Sequence, residues 1–224
     1  MEIEGINKIA DALGNAFSVF DFSFFISGAA TLGFVALDLH YYGHDGVLRL
    51  AGWTSVLVYL IAIYVSGLMS WSVGKLMRWR LLKILWGENG IKEDFNRIFE
   101  NAKNTCNNRD TNNPEDMNDR SNDIDYTSMW ITIEKNSQLA SKLSSLNKMW
   151  VMIAVFEGLA CSWLVGLFVY FDGLLVGNWI KTDIWFYKFV PPFVLLILLV
   201  VSLHRATVYS RDLIKEVVTT YYSI

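Results

Sequence analysis

Four apolar runs of nearly membrane-spanning length leave this chain few ways to fold. They cover 20–37, 53–71, 150–171 and 186–203. A helix rises about 1.5 Å per residue, so about 20 apolar residues cross a hydrocarbon core. Inside that core no water satisfies backbone N–H and C=O groups, so such segments fold as helices that bond internally. Composition points the same way: of 224 residues, 53% are hydrophobic and only 18% charged. Soluble domains of this length carry more charge. The nine Trp and ten Tyr gather near the ends of the runs, as interfacial belts do. The expected class is all-α, a polytopic membrane protein with four transmembrane helices and cytoplasmic helical extensions.

Short loops, 38–52 and 172–185, join the first two runs and the last two, and a long polar stretch separates the pairs. Both termini then lie on one side. Lys75, Arg78, Arg80 and Lys83 follow the second run, Lys142 and Lys148 precede the third, and Arg205, Arg211 and Lys215 follow the fourth. The short loops hold only Arg49 and Lys181, with Lys188 at the mouth of the fourth run. This asymmetry places the N- and C-termini and the middle region in the cytoplasm. The start of the chain is acidic at Glu2 and Glu4 and lacks a cleavable signal pattern, so the first span is expected to direct insertion.

The organisation expected from the sequence has five parts. Residues 1–18 form an amphipathic helix, with Ile3, Ile6, Ile9, Ala10, Leu13 and Phe17 on one face. It lies on the inner leaflet or packs on the cytoplasmic region. The first transmembrane hairpin covers 19–71 and the second 150–204. Between them, 72–149 is a cytoplasmic helical region with breaks at Gly87 and Gly90 and a flexible loop at 104–125, rich in Asn and Asp. Helix resumes near Tyr126 and runs into the third span, and 205–224 is a cytoplasmic tail. Pro191 and Pro192 suit a helix's first turn, so the fourth helix is expected to begin near Pro191. The middle region carries too few apolar positions for a sizeable core of its own.

Glu157 is the foremost candidate for function. It is the one charged residue in the run 150–171, roughly 12 Å from the inner end. An ionisable group at that depth is costly and by default marks a function. A gating, ion-coordinating or proton-linked role stands against a structural role in which neighbouring Ser or Tyr groups bond the carboxyl. Ala154, Gly158, Ser162 and Gly166 recur every fourth residue on the same run. Such a small-residue stripe admits another helix at close range, either within the subunit or across an oligomer. Ser23, Ser27 and Thr31 form a polar face on the first run. They suit a narrow aqueous pore, although interhelical hydrogen bonding is the commoner use of such hydroxyls.

Other motifs carry less. His40 and His44 are spaced like metal ligands, but Gly43 and Gly46 oppose a helix there and no further ligands cluster nearby. Asp116, Asp119, Asp123 and Asp125 lack the glycine and terminal Glu of a calcium loop. No metal or cofactor is expected. No phosphate loop, nucleophile elbow or zinc-protease motif is present in the sequence, which favours a non-enzyme. The net charge of −3 argues against direct nucleic-acid binding.

In span number, size and the runs 20–38 and 150–171, the chain resembles the small membrane proteins of bacterial antiphage defence systems, such as the membrane subunit of Kiwa. The resemblance implies an inner-membrane sensor or effector that forms a homo-oligomer, with a pore among its arrangements. It also implies a soluble cytosolic protein partner alongside membrane lipid. The competing expectation is a channel or transporter accessory subunit with a housekeeping role.

Overall fold

A computed structural model describes residues 19–44, 53–109, 125–175 and 185–223. The helix expected at 1–18 and most of the loop expected at 104–125 lie outside these residues. The described elements are helices: α1 Val19–Tyr41, α2 Trp53–Arg109, α3 Tyr126–Lys135, α4 Ala140–Leu175 and α5 Trp185–Tyr221. A 3₁₀ turn, Ser137–Leu139, joins α3 to α4. Among the described residues there is no strand, and α1, α2, α4 and α5 are each long and apolar enough to cross a membrane.

The chain divides into two compact units, Met1–Arg78 with Val151–Ala206, and Trp79–Trp150 with Thr207–Ile224. In the first unit, lipid offers no hydrophobic drive for one apolar helix to leave it for another, so close backbone approach matters. A Cβ on Gly28 would overlap the Ile63 carbonyl of α2, and one on Gly67 would overlap the Phe24 backbone of α1. Phe24 sets its ring against both Tyr64 and Trp71. Tyr42, just past α1, donates to Asp172 near the end of α4. That bond to a carboxylate raises the Tyr42 phenol to about 12, so it stays a donor at neutral pH. Outward faces are apolar, as lipid requires: Ile61, Val65 and Met69 on α2, and Phe193, Ile197 and Val200 on α5 are exposed.

The second unit is packed through larger side chains. Met129 and Ile133 of α3, Leu146 of α4, Ile98 of α2, and Leu213, Val217 and Val218 of α5 are buried together in this unit. Phe95 stacks on Phe99 and meets the edge of Tyr126. Arg211 reaches Asp94 at 2.8 Å and lies over the Trp86 ring.

Four expectations change. The segment 205–224 is not a tail: α5 continues to Tyr221, and its apolar residues at 213, 217 and 218 supply part of the second unit's core. The flexible loop does not begin at 104, because α2 runs to Arg109, with Thr105 bonding back to the Asn101 carbonyl. Extending an anchored helix gains one backbone bond for each residue fixed, which offsets modest polar propensities. The helix at Tyr126 does not run unbroken into the third span. Asn136 takes extended backbone angles and its side chain accepts from the Gln138 amide, which ends α3 and starts the 3₁₀ turn. Finally, α5 starts at Trp185 and contains both prolines. They lie past its first turn, so each removes one backbone bond, and in lipid a helix is still the conformation that satisfies the rest. The break near Gly87 is present, at φ 72°, a conformation open to glycine and strained for residues with a Cβ.

Candidate functional site

Glu157 faces one stripe of α2. Trp71, Gly74 and Arg78 are spaced by three and then four residues, which sets them on a single helix face. Gly74 occupies the middle, and a Cβ there would overlap the Glu157 carbonyl, so the two backbones touch. On either side of this contact the longer side chains close on the carboxylate. Trp71 donates its indole N–H to Oε2 at 2.9 Å. Arg78 brings Nε to 2.8 Å from Oε1 as an ion pair. Glu157 is 2% exposed and Arg78 18%. Arg78 also donates from Nη1 to the Ala206 carbonyl of α5, at 3.4 Å. One guanidinium therefore ties α2 to both α4 and α5. The Lys75 ammonium sits 5.4 Å above the Trp71 ring and contributes to the positive field at Glu157.

Next to the ion pair lies a knot of hydroxyls. Thr31 Oγ1 is 2.8 Å from Ser70 Oγ and 2.8 Å from Ser162 Oγ. The Ser162 hydroxyl also lies within 3.0 Å of the carbonyls of Ser27 and Gly158. A hydroxyl has one proton and two lone pairs. Ser162 can therefore give its proton to a carbonyl while Thr31 donates to it and Ser70 donates to Thr31, leaving each oxygen used.

The structure places every expected site residue in the first unit. Ala154, Gly158, Ser162 and Gly166 are all buried. A Cβ on Gly158 would come within 2.6 Å of both Cβ and Oγ of Ser27, and one on Gly166 would press on the Phe34 ring. The stripe thus packs on α1 of the same chain. Ser23 and Ser27 are buried, and Thr31 bonds across to α2 and α4. Among the described residues, no three His, Cys, Asp or Glu side chains converge on a metal-sized site.

Sequence reasoning missed Trp71, Gly74 and Arg78 as partners of Glu157. Arg78 entered only as a topology marker about 10 Å beyond the second apolar run, while Glu157 was placed about 12 Å inside the third. The structure joins them. The 71–74–78 spacing was visible, but its pairing with a residue 86 positions from Trp71 was not.

An ion pair so placed stores two states. Removing one partner leaves a buried charge uncompensated, which costs about 3–5 kcal/mol, whereas the intact pair need add little net stability. The site can therefore hold three helices in one arrangement and release them when its charge changes. Comparison with protein-family models, curated proteins and solved structures found no match.

Proposed function

We propose that the chain is a sensor or effector of the bacterial inner membrane, with both termini cytoplasmic. It works as a homo-oligomer and passes a change among its spans to a soluble cytosolic protein. The observation that carries this reading is the Arg78 contact with both Glu157 and the Ala206 carbonyl. α2 and α5 each continue as helix beyond these residues, α2 to the break at Gly87 and α5 to Tyr221. Both helices that Arg78 ties to the carboxylate thus extend past the apolar segments. The Lys/Arg asymmetry supports the orientation. With the stripe on α4 occupied inside the subunit, the outer faces of α2 and α5 are the surfaces open to a second copy. The architectural resemblance to Kiwa-type membrane subunits supports a place in antiphage defence.

The test sets parent against Glu157→Gln, Glu157→Leu and Arg78→Gln in cells carrying the gene with its genomic neighbours, challenged with phage at matched membrane levels. The parent is expected to lower plaquing. Glu157→Gln keeps the shape and the Trp71 bond but leaves the Arg78 charge without its partner, so it should reach the membrane at the parent's level, loosen the contact of the three helices and lose protection. Glu157→Leu should impair folding further, because it strands the Trp71 donor as well as the Arg78 charge. A parent without protection would turn the reading to a channel or transporter accessory subunit. A fully active Glu157→Leu would remove the ion pair from the mechanism.

A further inference from the structure

We infer that Lys75 docks the phosphate of an anionic phospholipid, drawn inward along α2 below the level of the surrounding headgroups. The inference rests on the spans lying in a bilayer and is independent of any role in defence. It begins from helix register. Gly74 touches the Glu157 backbone, and Ser27 touches Gly158, so these residues of α2, α4 and α1 share one depth. From that depth α4 runs back through residues 151–156 without a charge, about 9 Å of apolar helix. At the same depth α2 has already turned basic, with Lys75 next to Gly74 and Arg78 one turn on. The bundle is therefore mismatched in charge: Ile153, Ala154 and Val155 of that stretch are buried in protein, while Val151, Met152 and Phe156 stay half-buried at the level where α2 carries cations.

The two cations are used differently. Arg78 turns into the protein, to Glu157 and the Ala206 carbonyl. Lys75 is exposed, its ammonium lies over Trp71, and among the described residues it has no carboxylate within ion-pair distance. Met69, Val73 and Leu76 are exposed and apolar on the adjoining face of α2, a quarter turn or more round the helix from Lys75. A membrane resolves such a mismatch by local thinning and by snorkelling of the long side chain toward phosphate. A phospholipid supplies a negative phosphate for the ammonium, and its acyl chains suit the apolar outer surface that adjoins Lys75 on α2. An anionic headgroup is favoured because its charge is not cancelled by a headgroup amine.

The full chain in mild detergent can be titrated with phosphatidylglycerol or with phosphatidylcholine of the same acyl chains, and bound lipid counted by native mass spectrometry. One lysine near a membrane surface is worth about fivefold in affinity for an anionic lipid. The parent should therefore retain phosphatidylglycerol about fivefold more strongly than phosphatidylcholine. Lys75→Gln should erase the difference and Lys75→Arg should keep it. Lys142→Gln, an exposed lysine elsewhere on α4, should leave it unchanged. Equal retention of the two lipids by the parent would overturn the inference, and so would a preference that survives Lys75→Gln. Inorganic phosphate at millimolar concentration should not displace the lipid; if it does, the site reads a free anion and the lipid assignment falls.

Discussion

The two units of this chain are held by opposite means. In the span unit the close contacts are made by what is missing: Gly28, Gly67, Gly74 and Gly158 let backbones or a short serine meet where a methyl would collide. Hydroxyls and one ion pair then join the helices. In the other unit the contacts are made by bulk, with Met129, Ile133, Leu146 and Val217 almost fully buried. The difference is the one expected between helices packed in lipid and a core formed from water. Leaving water for a protein core yields about 25 cal/mol per Å² of apolar surface. Leaving lipid for a helix partner yields little, so close packing and interhelical hydrogen bonds carry the association. A mutation should therefore damage the span unit by adding atoms and the other unit by removing them.

The largest effect is expected from Gly74→Ala. The added methyl would overlap the Glu157 carbonyl, a backbone atom that cannot move without α4 moving. Separating the helices also draws Trp71 and Arg78 off the carboxylate. The expected loss is about 4 kcal/mol or more, in the range reserved for disrupted cores and networks. Denaturation from detergent, with hydrogen exchange read on peptides of α2 and α4, would measure it. A neutral Gly74→Ala would break the comparison, because alanine is otherwise the better helix former.

Ile133→Ala works in the opposite sense. Ile133 is fully buried on α3, and its truncation leaves a cavity that neighbours fill only in part. The expected cost is about 3 kcal/mol. Hydrogen exchange over α3 should report it as faster opening. An unchanged rate would mean that the second unit is not organised around this residue, and that bulk is not what holds it.

The same contrast explains what could be read from the sequence. The four helices were legible because bilayer thickness dictates their length, and the stripe on α4 was legible because its period lies within one helix. Partners across helices were not. Trp71, Gly74 and Arg78 form a local pattern whose meaning depends on which helix faces it, and that choice is made by tertiary packing. The C-terminal residues show the reverse error. Leu213, Val217 and Val218 already had helical spacing, but the neighbouring Arg205, Arg211 and Lys215 had been read for topology alone, so a core-forming segment was taken for a tail. Asn136 was missed because a side-chain bond to the Gln138 amide competes with a helix that the apolar pattern alone would continue.

The smallest effect concerns the exposed start of α3. Asp125 is the N-cap: its carboxylate accepts the Ser128 amide at 2.8 Å. The Ser128 hydroxyl, and after it that amide, favours the ionised form and lowers the carboxyl below its ordinary 3.8. A group whose folded value is depressed stabilises the fold above its unfolded value and loses that contribution as pH falls through the folded one. The cap should therefore be complete at neutral pH and fade below about pH 4. Hydrogen exchange at the Ser128 amide, corrected for intrinsic rates, would follow it. Protection should fall on acidification in the parent. In Asp125→Asn it should hold steady, because an amide oxygen still accepts the bond but does not titrate in this range. Because the group is exposed, the loss should stay at the first turn and leave Ile133 protected. If acid opened Ile133 together with Ser128, the second unit would depend on a surface charge rather than on its buried side chains, and the distinction between the two units would narrow.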